Sequence, residues 1–378
     1  MTWCSRPTAG SPATADMALV FFSGYTQDVP MASGEVLPGR SRGISCCRLD
    51  GETGRLELLA VTPSTPNPSY LALNRREPYL YCVNELETVD GVPASTVSAY
   101  GFCPGNGQLR LLGRQMAAGP LACFAALSHE GGHLLAASYN GGVCVLPVGA
   151  DHALIAPSWA CRLQGHGPDP LRQDSSHPHQ VLLHPCRSRA YVSDLGADRL
   201  HCFRADWGRG WLLPEASGDL AARPGQGPRH GVFNAQGSRL YVLTELSDEI
   251  DVFDPDAGTL LQTVSAVPGD CDGPGLGAAL RMHPGGRFLY ASLRGPGLLA
   301  VFPVRGDGGL GEPAFYPCGG KTPRDFCLTA DGRWLLAGGQ DDGSVCVHAL
   351  DQRTGAPRLV WRMEDAGSVT TLAVWDGA

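Results

Sequence analysis

The chain has 378 residues, of which 43% are hydrophobic and 17% charged, with 50 Gly, 30 Pro and a formal net charge of -8. An acidic chain lacks the basic footprint that binding to a nucleic-acid backbone needs, and no apolar run approaches the roughly 20 residues of a membrane span. The Gly- and Pro-rich, weakly aromatic makeup instead describes many short strands joined by turns, and a local cationic cleft remains compatible with a small anionic ligand.

In chain order, residues 1–16 (MTWCSRPTAGSPATAD) carry no apolar stretch of signal-peptide type. They read as a disordered N-terminal extension to a single cytoplasmic domain over 17–378. From there one unit recurs: an apolar strand that ends in a polar residue. It reads LVFFSG at Leu19–Gly24, LYCVNE at Leu80–Glu85, LLAASY at Leu134–Tyr139 and AYVSDL at Ala190–Leu195. It returns as LYVLTE at Leu240–Glu245, LYASLR at Leu289–Arg294 and LLAGGQ at Leu335–Gln340. Successive copies are roughly 46 to 61 residues apart, the length of a four-stranded propeller blade.

Each full unit shares a grammar. A Pro-marked entry (NPSY, HPHQ, GPRH, TPRD) opens an inner strand, a turn follows, and the recurring strand comes next. A third strand (TVSAYGF, GVCVLPV, RLHCFRA, EIDVFDP, LLAVFPV, SVCVHAL) and a weaker edge strand (LRLLG, WLLP, LLQTV, RLVW) complete it. Alternation of period two with frequent turns predicts antiparallel sheet throughout. The first copy has no inner strand, whereas VTTLAVW at Val369–Trp375 is left over at the end. Placing that strand innermost in the first blade closes the ring and leaves no sheet edge open. The expected fold is therefore all-β: a seven-bladed β-propeller of four-stranded antiparallel blades.

The 14 Cys contain no C-x-x-C pair, and Cys82, Cys144, Cys202 and Cys346 fall inside strands, where a thiol acts as a small buried hydrophobe. His177, His179, His184 and His230 lie close in sequence or by repeat, but no Cys or acidic residue completes a tetrahedral set, so neither a metal nor a cofactor is expected. There is no G-x-S-x-G nucleophile elbow and no Gly-rich phosphate loop opening a helix.

Equivalent positions in different blades form rings around a propeller axis. At the inner-strand entry the ring reads Ser69, Cys123, His179, Arg229, Ala278 and Arg324; at the sixth position of the recurring strand it reads Gly24, Glu85, Tyr139, Leu195, Glu245, Arg294 and Gln340. Core positions stay alike from copy to copy, while these positions vary from acid to base to amide. That contrast marks one asymmetric site shared among blades. Asp194, one residue before Leu195, and Lys321, just before the seventh entry, join the candidates. The loop Thr26–Arg42 stands where it can cover the mouth, and Asp151–Arg172 breaks the repeat.

SHPHQVLLHPCRSRAYVSDLGADRLHCF, GPRHGVFNAQGSRLYVLTELSDEIDVFD, the LRG of Leu293–Gly295 and GKTPRDFCLTADGRWLLAGGQDDGSVCVHAL resemble the seven-bladed lactonase family. That family includes propeller-type 6-phosphogluconolactonase and carboxy-cis,cis-muconate cyclase. The likeness runs from about Met17 to the C-terminus. It implies an active site on His179, Arg229, Glu245 and Arg294, with His179 or Glu245 as the base that activates water. Arg324, Lys321, Glu85, Asp194, Gln340 and Tyr139 would bind substrate, with Arg324 and Lys321 gripping a phosphate. The implied partner is a small anionic lactone, 6-phosphogluconolactone first, handled by a monomer or weak homo-oligomer. A muconate-lactonising cyclase and a non-catalytic binding propeller are the alternatives.

Overall fold

A computed structural model describes residues 17–30, 36–63 and 66–377. The N-terminal extension expected over 1–16 lies outside them. Seven antiparallel blades of four strands surround a central channel, and blade 4 carries a short fifth strand, Leu220–Ala221, paired with Arg199–Asp206. Their innermost strands are Ser368–Trp375, Pro68–Leu73, Ala122–Leu127, Pro178–Leu183, Pro228–Phe233, Gly277–Met282 and Pro323–Leu328, in blades 1 to 7. The C-terminal strand pairs with Met17–Tyr25 in an antiparallel register that runs from Leu19↔Trp375 to Tyr25↔Ser368. The first and last segments of the described chain thus share one blade, and the ring closes without an open inner edge.

The edge strands of blades 3 and 6, Trp159–Cys161 and Ala314–Pro317, carry no sequence signal of the kind that marks the others. They are short, partly exposed and weakly patterned. Among the described residues the sole helical element is one 3-10 turn, Ala216–Gly218.

The recurring Tyr at the second position of the unit has a specific reason. Tyr81, Tyr191, Tyr241 and Tyr290 are completely buried. Each hydroxyl donates to a backbone carbonyl in a turn of the next blade: His152 at 3.2 Å, Pro255 at 3.3 Å, Gly308 at 2.7 Å and Gly355 at 2.8 Å. A buried phenol needs a partner for its O–H, and these carbonyls supply one. The ring fills the interblade core and the hydroxyl latches blade to blade. Apolar clusters occupy every such seam; Val20, Phe22, Leu336 and Val347, for example, pack blade 1 against blade 7. The Cys residues among those described are free thiols, most of them buried.

One local irregularity repeats around the channel. Each inner strand contains a β-bulge near its start, with register breaks at Pro68/Tyr70, Ala122/Phe124, Pro178/Gln180, Pro228/His230, Gly277/Leu280 and Pro323/Asp325. The break opposite Ser23/Gly24 does the same in the C-terminal strand and leaves Thr370 unpaired. The residues skipped include those of the entry ring, Ser69, Cys123, His179, Arg229, Ala278 and Arg324, now completed by Thr370; in blade 6 Ala279 is skipped with Ala278. A bulge bends the strand and re-aims a side chain; here it directs one residue per blade toward the axis.

The second ring is set by the same turns. The amide N–H groups of Glu85, Tyr139, Glu245, Arg294 and Gln340 donate to Asn67, Leu121, Gly227, Leu276 and Thr322, two residues before the bulged positions. All five acceptor residues have positive φ, from 47° to 64°. That conformation is unfavourable for Leu and Thr, and its persistence at Leu121, Leu276 and Thr322 shows how firmly these turns are held.

Candidate active site

The two rings meet at one mouth of the channel, in a cavity of about 1150 Å³. His179 and Arg229 come from bulged inner strands; Glu245 and Arg294 immediately follow the recurring strands of blades 5 and 6. All four line the cavity, as do Glu85, Tyr139 and Arg324.

Glu245 is the electrostatic centre. It is 4% exposed and lies against three guanidinium groups: Arg172 Nη2 is 2.6 Å from Oε1, while Arg229 Nε at 2.7 Å and Arg294 Nη2 at 3.0 Å face Oε2. Arg172 makes an aligned hydrogen bond; the other two are close ion pairs without aligned N–H groups. Arg294 Nε donates to the Leu276 carbonyl at 3.0 Å, and Arg229 Nη1 donates to the Ala278 carbonyl. Burial disfavours the Glu245 anion, but Arg294, Arg229 and Arg172 outweigh it and hold the carboxyl well below its ordinary range. Glu245 is therefore ionised and tightly held. Three cations against one anion leave this floor with excess positive charge, in surroundings where screening is weak.

His179 is 6% exposed and its Nδ1 has no protein partner. Burial first, and the nearby Arg229 charge second, push its pKa well below 6.5, so the imidazole is neutral near pH 7. Tyr139 meets it edge-on at 6.0 Å and stacks on His177 at 4.2 Å. Tyr139 also partners Arg172, whose charge is favoured by Glu245 and Tyr139 despite its burial. Beneath His179 lies a void of about 10 Å³ whose lining includes Ser69, His230 and Thr370. Farther along the channel Arg281 bridges Asp325 at 2.9 Å and Tyr70 at 3.2 Å, tying blades 6, 7 and 2 together across the axis.

Glu85 accepts from the buried Tyr25 hydroxyl at 3.2 Å, and Arg324 lies over the Tyr25 ring at 5.8 Å. Gln340 does not line the cavity; its Oε1 accepts from Arg324 Nη1 at 3.4 Å, so it positions that guanidinium. Two further expected substrate-binding residues also lie outside the cavity. Asp194 is completely buried and fully used as a turn cap, accepting from the amides of His177, Gly196 and Ala197, from Ser176 Oγ and from His201 Nε2. In blade 5 the residue that corresponds to Asp194 is Thr244, while the counterpart of Glu245 in blade 4 is the buried Leu195. Lys321 is exposed outside the cavity, and its amide donates to Asp342 at 2.9 Å.

The residue that repeat comparison missed is Arg172. It belongs to the irregular stretch between blades 3 and 4, which has no counterpart in other blades. That stretch forms a wall of the cavity with Arg162, Leu163, Gln164 and Leu171. The loop before the first-blade strand contributes Val29, from the short pair Val29–Pro30 and Val36–Leu37.

The fold is that of a seven-bladed propeller with a polar, arginine-rich cavity at one mouth of its channel. The family is defined by comparison: residues 20–374 match the model of the lactonase, 7-bladed beta-propeller family, and the chain belongs to that family. It is 32% identical over 335 residues to the 6-phosphogluconolactonase of Bacillus subtilis, covering 86% of this chain and 93% of the relative. It is 28% identical over 309 residues to that of Serratia proteamaculans, covering 80% and 87%. The solved periplasmic gluconolactonase of Pseudomonas aeruginosa superposes with a TM-score of 0.85 at 29% identity, covering 95% of this chain and 99% of that one. Among the described residues no helix is long and apolar enough to cross a membrane.

Proposed function

We propose that the chain hydrolyses 6-phosphogluconolactone to 6-phosphogluconate at this mouth of the channel. The observation that carries this reading is the pairing of a neutral, buried His179 with a carboxylate held by three arginines. A lactone carbonyl is already reactive, so one base and one oxyanion stabiliser suffice.

His179 is the better base of the two candidates. Glu245 is saturated by cations, and a carboxylate held that far below its ordinary pKa takes a proton poorly. Neutral imidazole can accept the proton of an attacking water, and the resulting imidazolium is stabilised by the negative charge of Glu245, which already favours the charged form. Binding an anionic substrate raises the His179 pKa further, toward the range where a base works best. As water adds to the carbonyl carbon, the oxygen gains negative charge that Arg294 and Arg229 neutralise. Their Oε2 contacts are not aligned hydrogen bonds, so their N–H groups can turn to the oxyanion. Collapse of the tetrahedral species breaks the ring C–O bond, and the imidazolium returns its proton to the leaving alkoxide.

The deciding experiment is a lactone-hydrolysis panel corrected for spontaneous opening, run on the wild type, His179→Ala and Arg294→Ala. Turnover of 6-phosphogluconolactone that collapses in both variants supports the assignment. Full activity in both, or no turnover by the wild type, overturns it.

A further inference from the structure

Five arginines line the cavity: Arg162, Arg172, Arg229, Arg294 and Arg324. Four have partners. Arg172, Arg229 and Arg294 contact Glu245, and Arg324 is held by Gln340 beside Tyr25. Arg162 is different. It is exposed at the rim, and among the described residues its guanidinium has neither an acidic partner nor a carbonyl acceptor.

Arg162 stands on a firm platform. The segment 162–176 leaves the blade 3 edge strand and returns to the blade 4 inner strand. Gln173, completely buried, fixes it by donating to the Leu195 carbonyl and to Asp198 Oδ1, both at 2.8 Å. Its own backbone amide donates to the Asp169 carbonyl at 2.8 Å, and Asp169 Oδ1 accepts the amides of Leu171 and Arg172 at 2.9 and 3.1 Å. One short loop therefore sends Arg172 to the floor and presents Arg162 at the rim. Of the four acids that line the cavity, Glu245 is held by arginines, Glu85 by Tyr25 and Asp174 by His177 Nε2 at 3.1 Å; Glu87 is the fourth.

Resting on the lactonase reading, we propose that Arg162 is the specificity residue that binds the phosphate at the end of the substrate distant from the lactone carbonyl. The carbonyl must reach the His179–Glu245 floor, so the far end of the molecule points outward, toward the rim. A planar guanidinium pairs two N–H groups with two phosphate oxygens, and an uncommitted one need break no ion pair to do so. Arg172, Arg229 and Arg294 are committed to Glu245 and the reacting carbonyl, Arg324 is hydrogen-bonded to Gln340, and Lys321, which with Arg324 was expected to grip the phosphate, is outside the cavity. This assignment also bears on a difference among relatives, since one is named for a phosphorylated lactone and another for gluconolactone.

The test compares wild type, Arg162→Ala and Arg162→Lys on 6-phosphogluconolactone and glucono-δ-lactone. In parallel, calorimetry measures binding of 6-phosphogluconate and gluconate. Arg162→Ala should lower the ratio of kcat/KM for the phosphorylated over the unphosphorylated lactone by about tenfold, the scale of a lost charge-assisted contact, chiefly through KM. Arg162→Lys should recover part of that ratio, and the affinity for 6-phosphogluconate should fall by a similar factor relative to gluconate. An unchanged ratio together with unchanged relative affinity overturns the proposal. If the wild type opens neither lactone, the lactonase reading fails, and the binding arm still decides whether Arg162 reads the phosphate.

Discussion

The most searching perturbation is Glu245→Gln, which keeps the shape of the side chain and removes its charge. Three guanidinium groups within 2.6–3.0 Å then lose their common anion. Arg229 is the most sensitive, because burial already pushes it down to about 10 and Glu245 is the main influence opposing that shift. Breaking one buried ion pair costs about 3–5 kcal/mol, since the remaining charge is left uncompensated. Arg172, about a third exposed, adds least to this penalty because solvent screens it. With an unfolding entropy near 2.1 cal/mol/K per residue, a chain of this length has about 0.8 kcal/mol/K in total, so Tm should fall by about 4–6 °C. Differential scanning calorimetry measures this, and a lactone assay on the same sample reads the loss of turnover. Adding Arg172→Gln removes one of the stranded cations and should return part of the lost Tm without returning activity. An unaltered Tm in Glu245→Gln, or a further fall in the double variant equal to that of Arg172→Gln alone, would refute the idea of one charge-balanced cluster.

Further expectations follow from the same geometry. His179→Ala should lower kcat by about 10²–10⁴ while Tm changes little, and wild-type kcat/KM for an uncharged lactone should stay level as pH falls through 6.5, because the base has a depressed pKa; an acid limb centred at pH 6.5 would contradict this. Stability should fall as pH drops below about 6.5. His179 and His230 are neutral when folded, both being pushed well below 6.5 by burial, while the unfolded chain takes up protons there, at about 1.4 kcal/mol per pH unit for each group. Chemical denaturation between pH 7 and 5 measures the slope, which buried Asp325 and Asp251, shifted upward, oppose where they titrate; a flat midpoint across that range would count against neutral burial. Tyr241→Phe should cost about 0.5–1.5 kcal/mol by leaving the Gly308 carbonyl without its donor, read from the denaturant midpoint, with no change in KM.

Most of the fold is legible in the residues because the repeat records it twice over. Alternation marks the strands, and a Tyr that recurs in four of the seven copies marks seams where one blade meets the next. The leftover Val369–Trp375 strand is informative for a physical reason: a closed ring cannot leave an inner strand unpaired. The edge strands Trp159–Cys161 and Ala314–Pro317 are hard to see because strands on the outer rim need few apolar residues. Asp194 misleads because position alone does not report whether an acid faces the cavity or caps a turn. Its neighbours Ser176, Gly196 and Ala197 supply donors that consume its oxygens.

The candidate site divides along the same line. Residues contributed by the repeat converge because each inner strand bulges at one position and each preceding turn anchors the amide at the end of the recurring strand. Those two devices carry both rings to the same mouth, so comparing copies finds His179, Arg229, Glu245 and Arg294. Residues contributed by an insertion have no copies to compare. Arg172 is the third partner of Glu245 and Arg162 stands exposed at the rim, yet both lie on a segment with no equivalent elsewhere in the ring. The repeated framework thus builds most of the floor, while the insertion adds Arg172 to it and Arg162 at the rim. Discrimination among lactones should therefore change with substitutions in 162–176 and far less with substitutions in the turns of other blades.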